Sequence, residues 1–317
     1  MTRLVGDPRP ATAALPATGM CCVTSVYVVG HGLIEADATI DDGGMLKLMK
    51  RRRSGARPTV EVAEVEAIEE TPPALTLMEF LNRAYVEHVD DLVRAHPLEK
   101  AMDLAVGGSG DAVSALEVAI LRAVGLTPTS DVLDVGCGSG RMVRRLVEDG
   151  HAGAYLGIDV VPALVEYARQ KYPDCYRFEV GDGLTISTEE RFDIACMFSV
   201  ATHLPFESIF IIFEGVLAAL RPGGTLVVSF LELGIPGHDH VFDVSVDTFR
   251  TARAHNQFVH RDDLRHIGEL AGFGFVRVAS EAESAVPIDG MFVWDDGSVL
   301  EGEGMLGQSW MVFAAPS

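Results

Sequence analysis

Apolar positions change their rhythm along this chain, and the change divides it near residue 110. Leu77, Phe80, Leu81, Tyr85, Val89 and Leu92 recur at steps of three and four, which predicts a helix over about 75–96 with one buried face. Gly107-Gly108-Ser109-Gly110 breaks the chain, and a further helix is expected over about 112–124, ended by Gly125. Beyond it, short apolar runs alternate with longer mixed stretches. Strands are expected at 132–135, 155–158, 177–180, 192–198, 225–230, 273–279 and 309–314, and helices at 140–149, 162–172, 206–220 and 261–271. Such alternation predicts a mainly parallel sheet with helices on both faces. The first five strands are apolar on both sides, as doubly covered strands should be. The last two are separated by a long segment, 280–307, and are expected to form an antiparallel edge. The expected fold is therefore α/β: a doubly wound, seven-stranded sheet, mostly parallel with an antiparallel edge strand.

The segment before residue 74 reads differently. Residues 1–19 are rich in Pro, Ala and Thr, and fraying is expected there. Val23, Val26, Tyr27, Val28 and Val29 suggest a strand or hairpin within 20–42, and the charged stretch 43–73 ends in the linker signal Thr71-Pro72-Pro73. Two parts are expected: an N-terminal extension, 1–73, and a main domain, 74–317, with a helical N-terminal cap over 74–125 and a long substrate loop over 232–260.

Composition narrows the function. With 48% hydrophobic and 22% charged residues in 317, the chain can build a sizeable core. Asp and Glu number 46 against 25 Lys and Arg, a net charge of −21, which argues against a nucleic-acid partner because such binding needs a basic face. The basic cluster Lys47, Lys50, Arg51, Arg52, Arg53 and Arg57 reads as a solvated loop in preference to an anion contact. Five cysteines show neither a disulfide framework nor zinc spacing, which fits a reducing, cytoplasmic compartment. The apolar stretch 20–34 is too short to span a bilayer and lacks a basic leader and cleavage site, so no membrane span is expected.

The most informative segment is Val132-Leu133-Asp134-Val135-Gly136-Cys137-Gly138-Ser139-Gly140-Arg141. A strand ends, alternating glycines come next, and a helix begins. Missing side chains let a ligand approach the backbone and the free N–H groups of the helix start. The dinucleotide fingerprint needs glycine at its first, third and sixth positions, and the sixth here is Arg141. Asp134 would also repel a pyrophosphate and favour a ligand with a positive centre.

These residues resemble the class I S-adenosylmethionine-dependent methyltransferases, whose first motif reads acid-x-Gly-x-Gly-x-Gly. The resemblance spans about residues 112–315 and continues in order: Gly157-Ile158-Asp159, Gly181-Asp182-Gly183, the run 192–198, and Leu220-Arg221-Pro222-Gly223-Gly224. It implies a Rossmann-like fold and S-adenosylmethionine as cofactor. The cofactor-binding set it implies is Asp134, Gly136, Cys137, Gly138 and Gly140 of the turn, Asp159 and Val160, Gly181, Asp182 and Gly183, and Phe198 and Ser199. Asp159 would accept the ribose hydroxyls, although it could also cap the next helix. Asp182 would meet the adenine, although it could equally be a turn residue. Arg141 reads either as a contact to the methionyl carboxylate or as a solvated helix position, and Asp193 as support for its strand.

Transfer to an alcohol needs a base, and histidine suits that role near neutral pH. His203, in Thr202-His203-Leu204, is the candidate catalytic residue; a packed histidine at a helix entry is the alternative. Glu232, His238, Asp239 and His240 read as a substrate-facing loop, with a metal site disfavoured for want of a third well-spaced ligand. Phe249, Arg250, His255, Asn256, Gln257 and Phe258 would suit a polar acceptor or ordinary packing, and His260 or Arg261 would cap a helix. The resemblance also implies that Tyr85 through Gly110 lies over the cofactor pocket; Tyr85 reads as helix packing in preference to a contact there. The expected activity is methyl transfer to an oxygen of a small polar acceptor, a sugar or glycan end first. The alternatives are a secondary metabolite or peptide acceptor, at oxygen or nitrogen, and a cofactor-binding partner subunit without turnover.

Overall fold

A computed structural model describes residues 75–251, 256–280 and 283–317, together with three short strands before them. The chain divides into two compact units, Met1–Ala74 and Leu75–Ser317. In the first, β1 (Cys22–Val23), β2 (Ala36–Ile40) and β3 (Leu46–Lys50) form an antiparallel sheet in that order. Lys47 and Lys50 lie on β3; Arg51, Arg52, Arg53 and Arg57 lie outside the described residues.

The second unit opens with three helices where two were expected: α1 (Leu77–Ala95), α2 (Leu98–Ala105) and α3 (Gly110–Ala123). Thr76 starts α1 through a capping box, with Glu79 N–H donating to Thr76 Oγ1 at 3.2 Å and Thr76 N–H to Glu79 Oε2 at 2.7 Å. Met78, Leu81, Ala84 and Val89 form the buried stripe that the three-and-four spacing predicts. Pro97 precedes α2, which buries only Ala101 and Met102, too little for its periodicity to show.

The strands come next as β4 (Val132–Val135), β5 (Tyr155–Asp159), β6 (Tyr176–Val180), β7 (Phe192–Met197), β8 (Leu220–Phe230), β9 (Gly274–Ala279) and, after a hairpin, β12 (Ser309–Ala314). They form one seven-stranded sheet in the order β6-β5-β4-β7-β8-β12-β9. The first five are mutually parallel, and β12 runs antiparallel to both β8 and β9. The expected fold is thus present, with the antiparallel strand one place in from the edge. The crossover helices are α4 (Arg141–Glu148), α5 (Pro162–Lys171), α6 (Phe206–Ala219) and α8 (Arg261–Leu270). All four residues of β4 are buried, and core clusters lie on both faces of the sheet.

Two long connections carry regular structure that no clear apolar period announces. The segment 232–260, expected as a loop, contains α7 (Pro236–Thr251), and 280–307 contains the hairpin β10 (Val286–Val293) and β11 (Val299–Gly304). The hairpin buries Val286, Ile288 and Leu300 in the cluster that holds Leu116 and Ile120 of α3. Its strands alternate weakly because only these few side chains point inward. Among the described residues, no single helix is long and apolar enough to cross a membrane.

Candidate active site

Strand order reverses between β4 and β7, so a crevice opens at the carboxyl ends of these strands. The glycine turn lies there. Gly136, Gly138 and Gly140 have φ of 81°, 55° and 76°, a region that side chains seldom enter. The turn is also closely covered: a Cβ on Gly136 would stand 2.2 Å from Val200 Cγ2, and one on Gly138 2.5 Å from Val106 Cγ1.

A cavity of about 440 Å³ opens over this turn. Asp134, Gly136, Cys137, Gly138, Asp159, Val160, Gly183, Phe198, Ser199 and His203 all line it. Gly140, Gly181 and Asp182 are not among its lining residues. Gly140 is the N-cap of α4, and a Cβ there would meet the Tyr172 ring at 2.7 Å. A Cβ on Gly181 would press on Ile158 Cγ2 at 2.7 Å. The Asp182 carboxylate shapes its own turn, accepting from Leu184 N–H at 2.8 Å, Thr185 N–H at 2.7 Å and the Thr185 hydroxyl at 2.7 Å. Those bonds hold its pKa below the ordinary value.

Asp159 ends β5 and faces two backbone donors, Gly138 N–H at 2.8 Å and Val161 N–H at 2.9 Å. It joins the glycine turn to the start of α5 while lining the cavity. Burial pushes its pKa up, against those two bonds. Asp134 lies deeper. The Tyr155 hydroxyl donates to its Oδ2 at 2.6 Å, and the Cys196 thiol approaches Oδ1 at 3.6 Å. Burial raises its pKa to about 7, the Tyr155 bond opposes the rise, and nearby Glu117 adds to it.

Two residues of the wall carry no signal in the glycine motif. Glu117 interrupts the apolar run Leu116, Val118, Ala119, Ile120, Leu121 of α3, and that lone charge was the available clue. It pairs with the Arg141 guanidinium, which also donates to Val106 O at 2.5 Å. Arg141 is therefore no solvated helix residue: it ties α4 to α3 and to the segment before α3. Tyr85, from α1, is the second. Its hydroxyl is buried and has no hydrogen-bond partner among the described residues, and burial together with Asp159 keeps the phenol protonated far above its usual range. Its ring meets the His203 ring edge-on at 5.3 Å, so α1 brings Tyr85 to the candidate base. His203 itself ends a 3₁₀ turn, Ala201–His203, just past β7.

The second polar cluster is built otherwise. Glu232 takes Arg261 Nε and Nη2 at 2.9 Å each, and the Ser309 hydroxyl at 3.0 Å. His238 is buried with Nδ1 on Glu232 N–H at 2.9 Å, and Asp239 accepts from Gly234 N–H at 2.8 Å. Among the described residues, no group of three or more His, Cys, Asp or Glu is placed to hold a metal ion. His260 caps α8, while Arg261 turns back to Glu232. Phe258 meets Phe242 edge-on at 5.3 Å, and Asn256 bonds Ser245 at 2.7 Å, so these residues pack the segment on itself; His255 lies outside the described residues. Asp193 accepts from Asp131 N–H at 2.8 Å and supports the strand start.

Sheet order, switch point and glycine turn define the doubly wound α/β class that binds ligands at the carboxyl ends of its strands. Residues 132–224, which carry the turn, Asp159 and His203, match the family model of a methyltransferase domain. Among curated proteins, the chain is 33% identical over 107 residues to 2-methyl-6-phytyl-1,4-hydroquinone methyltransferase of Synechocystis, covering 33% of each chain. It is 30% identical over 120 residues to trans-aconitate 2-methyltransferase of Methylobacterium nodulans, covering 38% of this chain and 45% of that one. The chain thus spans under half the length of these two relatives. The solved structure of PigF with SAH superposes with a TM-score of 0.53 at 14% identity, over 74% of this chain and 62% of that one, and shows the shared fold.

Proposed function

We propose that this protein is an S-adenosylmethionine-dependent methyltransferase acting on an oxygen of a small polar acceptor, with a sugar or glycan end as first candidate. The observation that carries the reading is one cavity joining the glycine turn, the β5-end carboxylate of Asp159, the buried Asp134 and His203. The residues fit the cofactor. Three carboxylates, Glu117, Asp134 and Asp159, face the cavity against one guanidinium, Arg141, so its wall favours a cationic ligand. The Tyr85 hydroxyl, without a partner among the described residues, supplies a donor.

Asp159 would hold the ribose, the backbone of Gly136, Cys137 and Gly138 together with Asp134, Phe198 and Ser199 would hold the methionine part, and Val160 and Gly183 would receive the adenine. Gly140, Gly181 and Asp182 act from behind by shaping the turns. When bound, S-adenosylmethionine supplies an already activated methyl group. The chain's own tasks are then to align the acceptor, exclude water and accept a proton. His203 takes the acceptor's hydroxyl proton on a ring nitrogen. The excess of acidic residues supports an acceptor other than a nucleic acid.

A second acceptor class has its own support. Met78, Leu81, Val106, Ile186, Leu204 and Ile212 give the cavity an apolar wall, which suits a secondary metabolite with a hydrophobic body.

Calorimetry with S-adenosylhomocysteine tests the cofactor site. Asp159→Ala should weaken binding by about 1–3 kcal/mol, the scale of a charge-assisted hydrogen bond; unchanged affinity would remove Asp159 from the site. His203→Ala should slow homocysteine-product formation across a panel of sugar and phenolic acceptors by about 10²-fold or more, and leave cofactor affinity near wild type. A wild-type rate would show that His203 is no base.

A further inference from the structure

Ser199 lies just beyond β7 and has φ of 60°, one of two non-glycine residues with positive φ among those described. Glycine would adopt that conformation freely, whereas a serine needs its surroundings to hold it. The surroundings form a closed ring of hydrogen bonds. Ser199 N–H donates to the Ser229 hydroxyl at 2.7 Å, Ser229 donates to Gln308 Oε1 at 2.7 Å, and Gln308 Nε2 donates to Ser199 Oγ at 2.8 Å. In this arrangement the Gln308 amide answers both serines, its oxygen accepting from the Ser229 hydroxyl and its nitrogen donating to Ser199 Oγ. Ser229 is wholly buried on β8, and Gln308 comes from the segment just before β12, far outside the stretch 132–224.

The turn carrying the candidate base is built on this twist. Val200 packs over Gly136 so closely that no Cβ would fit there, and His203 N–H bonds back to Val200 O at 3.0 Å. The Thr202 hydroxyl bonds Ser199 O at 2.9 Å, and the His203 ring rests against Tyr85.

We propose that Gln308 is a positioning residue: its side-chain amide holds Ser199 left-handed, and thereby seats Val200 over the glycine turn and His203 against Tyr85. The inference rests on reading the cavity as the cofactor site. Its test separates the two.

Gln308→Met keeps the side-chain stem and removes both amide bonds. Two measurements on the full-length protein probe it. The first needs no ligand: the His203 ring protons, assigned by NMR, should move in Gln308→Met as the Tyr85 contact loosens. The second is calorimetric: S-adenosylhomocysteine affinity should fall about tenfold, the scale of a lost neutral hydrogen bond. Adding Ser199→Gly supplies the left-handed conformation without the latch. The double variant should recover the His203 shifts. A general loss of packing would not be rescued by deleting a second side chain. Unmoved His203 resonances in Gln308→Met, or a double variant no better than the single one, would overturn the proposal. Wild-type protein that fails to bind S-adenosylhomocysteine would defeat the cofactor reading, while the NMR arm still decides the latch. Should Gln308→Met not fold, Gln308→Leu, which likewise has neither amide bond, carries the same expectations.

Discussion

Asp134 shows how much chemistry one buried carboxylate can carry. Its pKa of about 7 in the folded protein lies above the roughly 3.9 of an exposed aspartate. The unfolded chain therefore loses this proton first, and ligand-free stability should fall as pH rises from about 4 to about 7, then level off. Asp134→Asn should raise the ligand-free melting temperature at pH 8 and change little at pH 4. Scanning calorimetry at both pH values checks this; equal shifts at the two would contradict a buried, titrating acid. A cationic ligand acts in the opposite sense, since it favours the carboxylate. S-adenosylmethionine affinity should therefore rise with pH up to about 7, and Asp134→Asn should flatten that rise. The position of Asp134, two residues before the first glycine, was legible from spacing. Its depth, and the Tyr155 and Cys196 contacts that surround it, were not, because partners 21 and 62 residues away meet only through strand pairing.

At the scale of elements, the strands announced themselves and the added pieces did not. The parallel strands are short apolar runs because they are covered on both faces. By contrast, α2, α7 and the β10–β11 hairpin bury few side chains each, so no clear period marks them. Of these pieces, α2 lines the cavity with Leu104 and Ala105. Asp295, at the hairpin turn, donates its N–H to Ser109 Oγ at 3.2 Å, and Ser109 is the other left-handed serine. The hairpin turn thus holds the chain at Ser109, and Gln308, after the hairpin, holds it at Ser199. Helix α3 is tied to α4 by Glu117 and Arg141, both well buried. Glu117→Ala would leave the guanidinium without its carboxylate and should destabilise the protein by about 3–5 kcal/mol, the cost of breaking a buried pair. Denaturant unfolding measures it. Glu117→Gln, which keeps an acceptor for Arg141, should cost less; equal losses would point to a packing effect instead.

For the whole molecule, the charge of −21 and the acidic cavity act together. A negative field attracts a cationic ligand and repels polyanions, so cofactor association should slow as salt is added. The polar cluster around Glu232 bears on the overall design too. It locks the end of β8 to α8 and β12 through Arg261 and Ser309. Dialysis against EDTA should accordingly leave both melting temperature and S-adenosylhomocysteine affinity unchanged; a loss restored by magnesium would reinstate a metal at His238 or His240.

The amino-acid sequence by itself determined the doubly wound fold and the place of its glycine turn at the strand ends. Apolar periodicity reports which faces are buried, and a turn of glycines before a helix has few other uses. Asp134, Asp159 and His203 came with that reading, since each lies within a few residues of a strand end. Tertiary structure alone decided that Glu117 lines the same cavity, that Gln308 bonds Ser199 of its wall, and that Asp182 turns its carboxylate to its own loop. Those outcomes depend on which distant segments pack together, and packing leaves no local period in the chain to read.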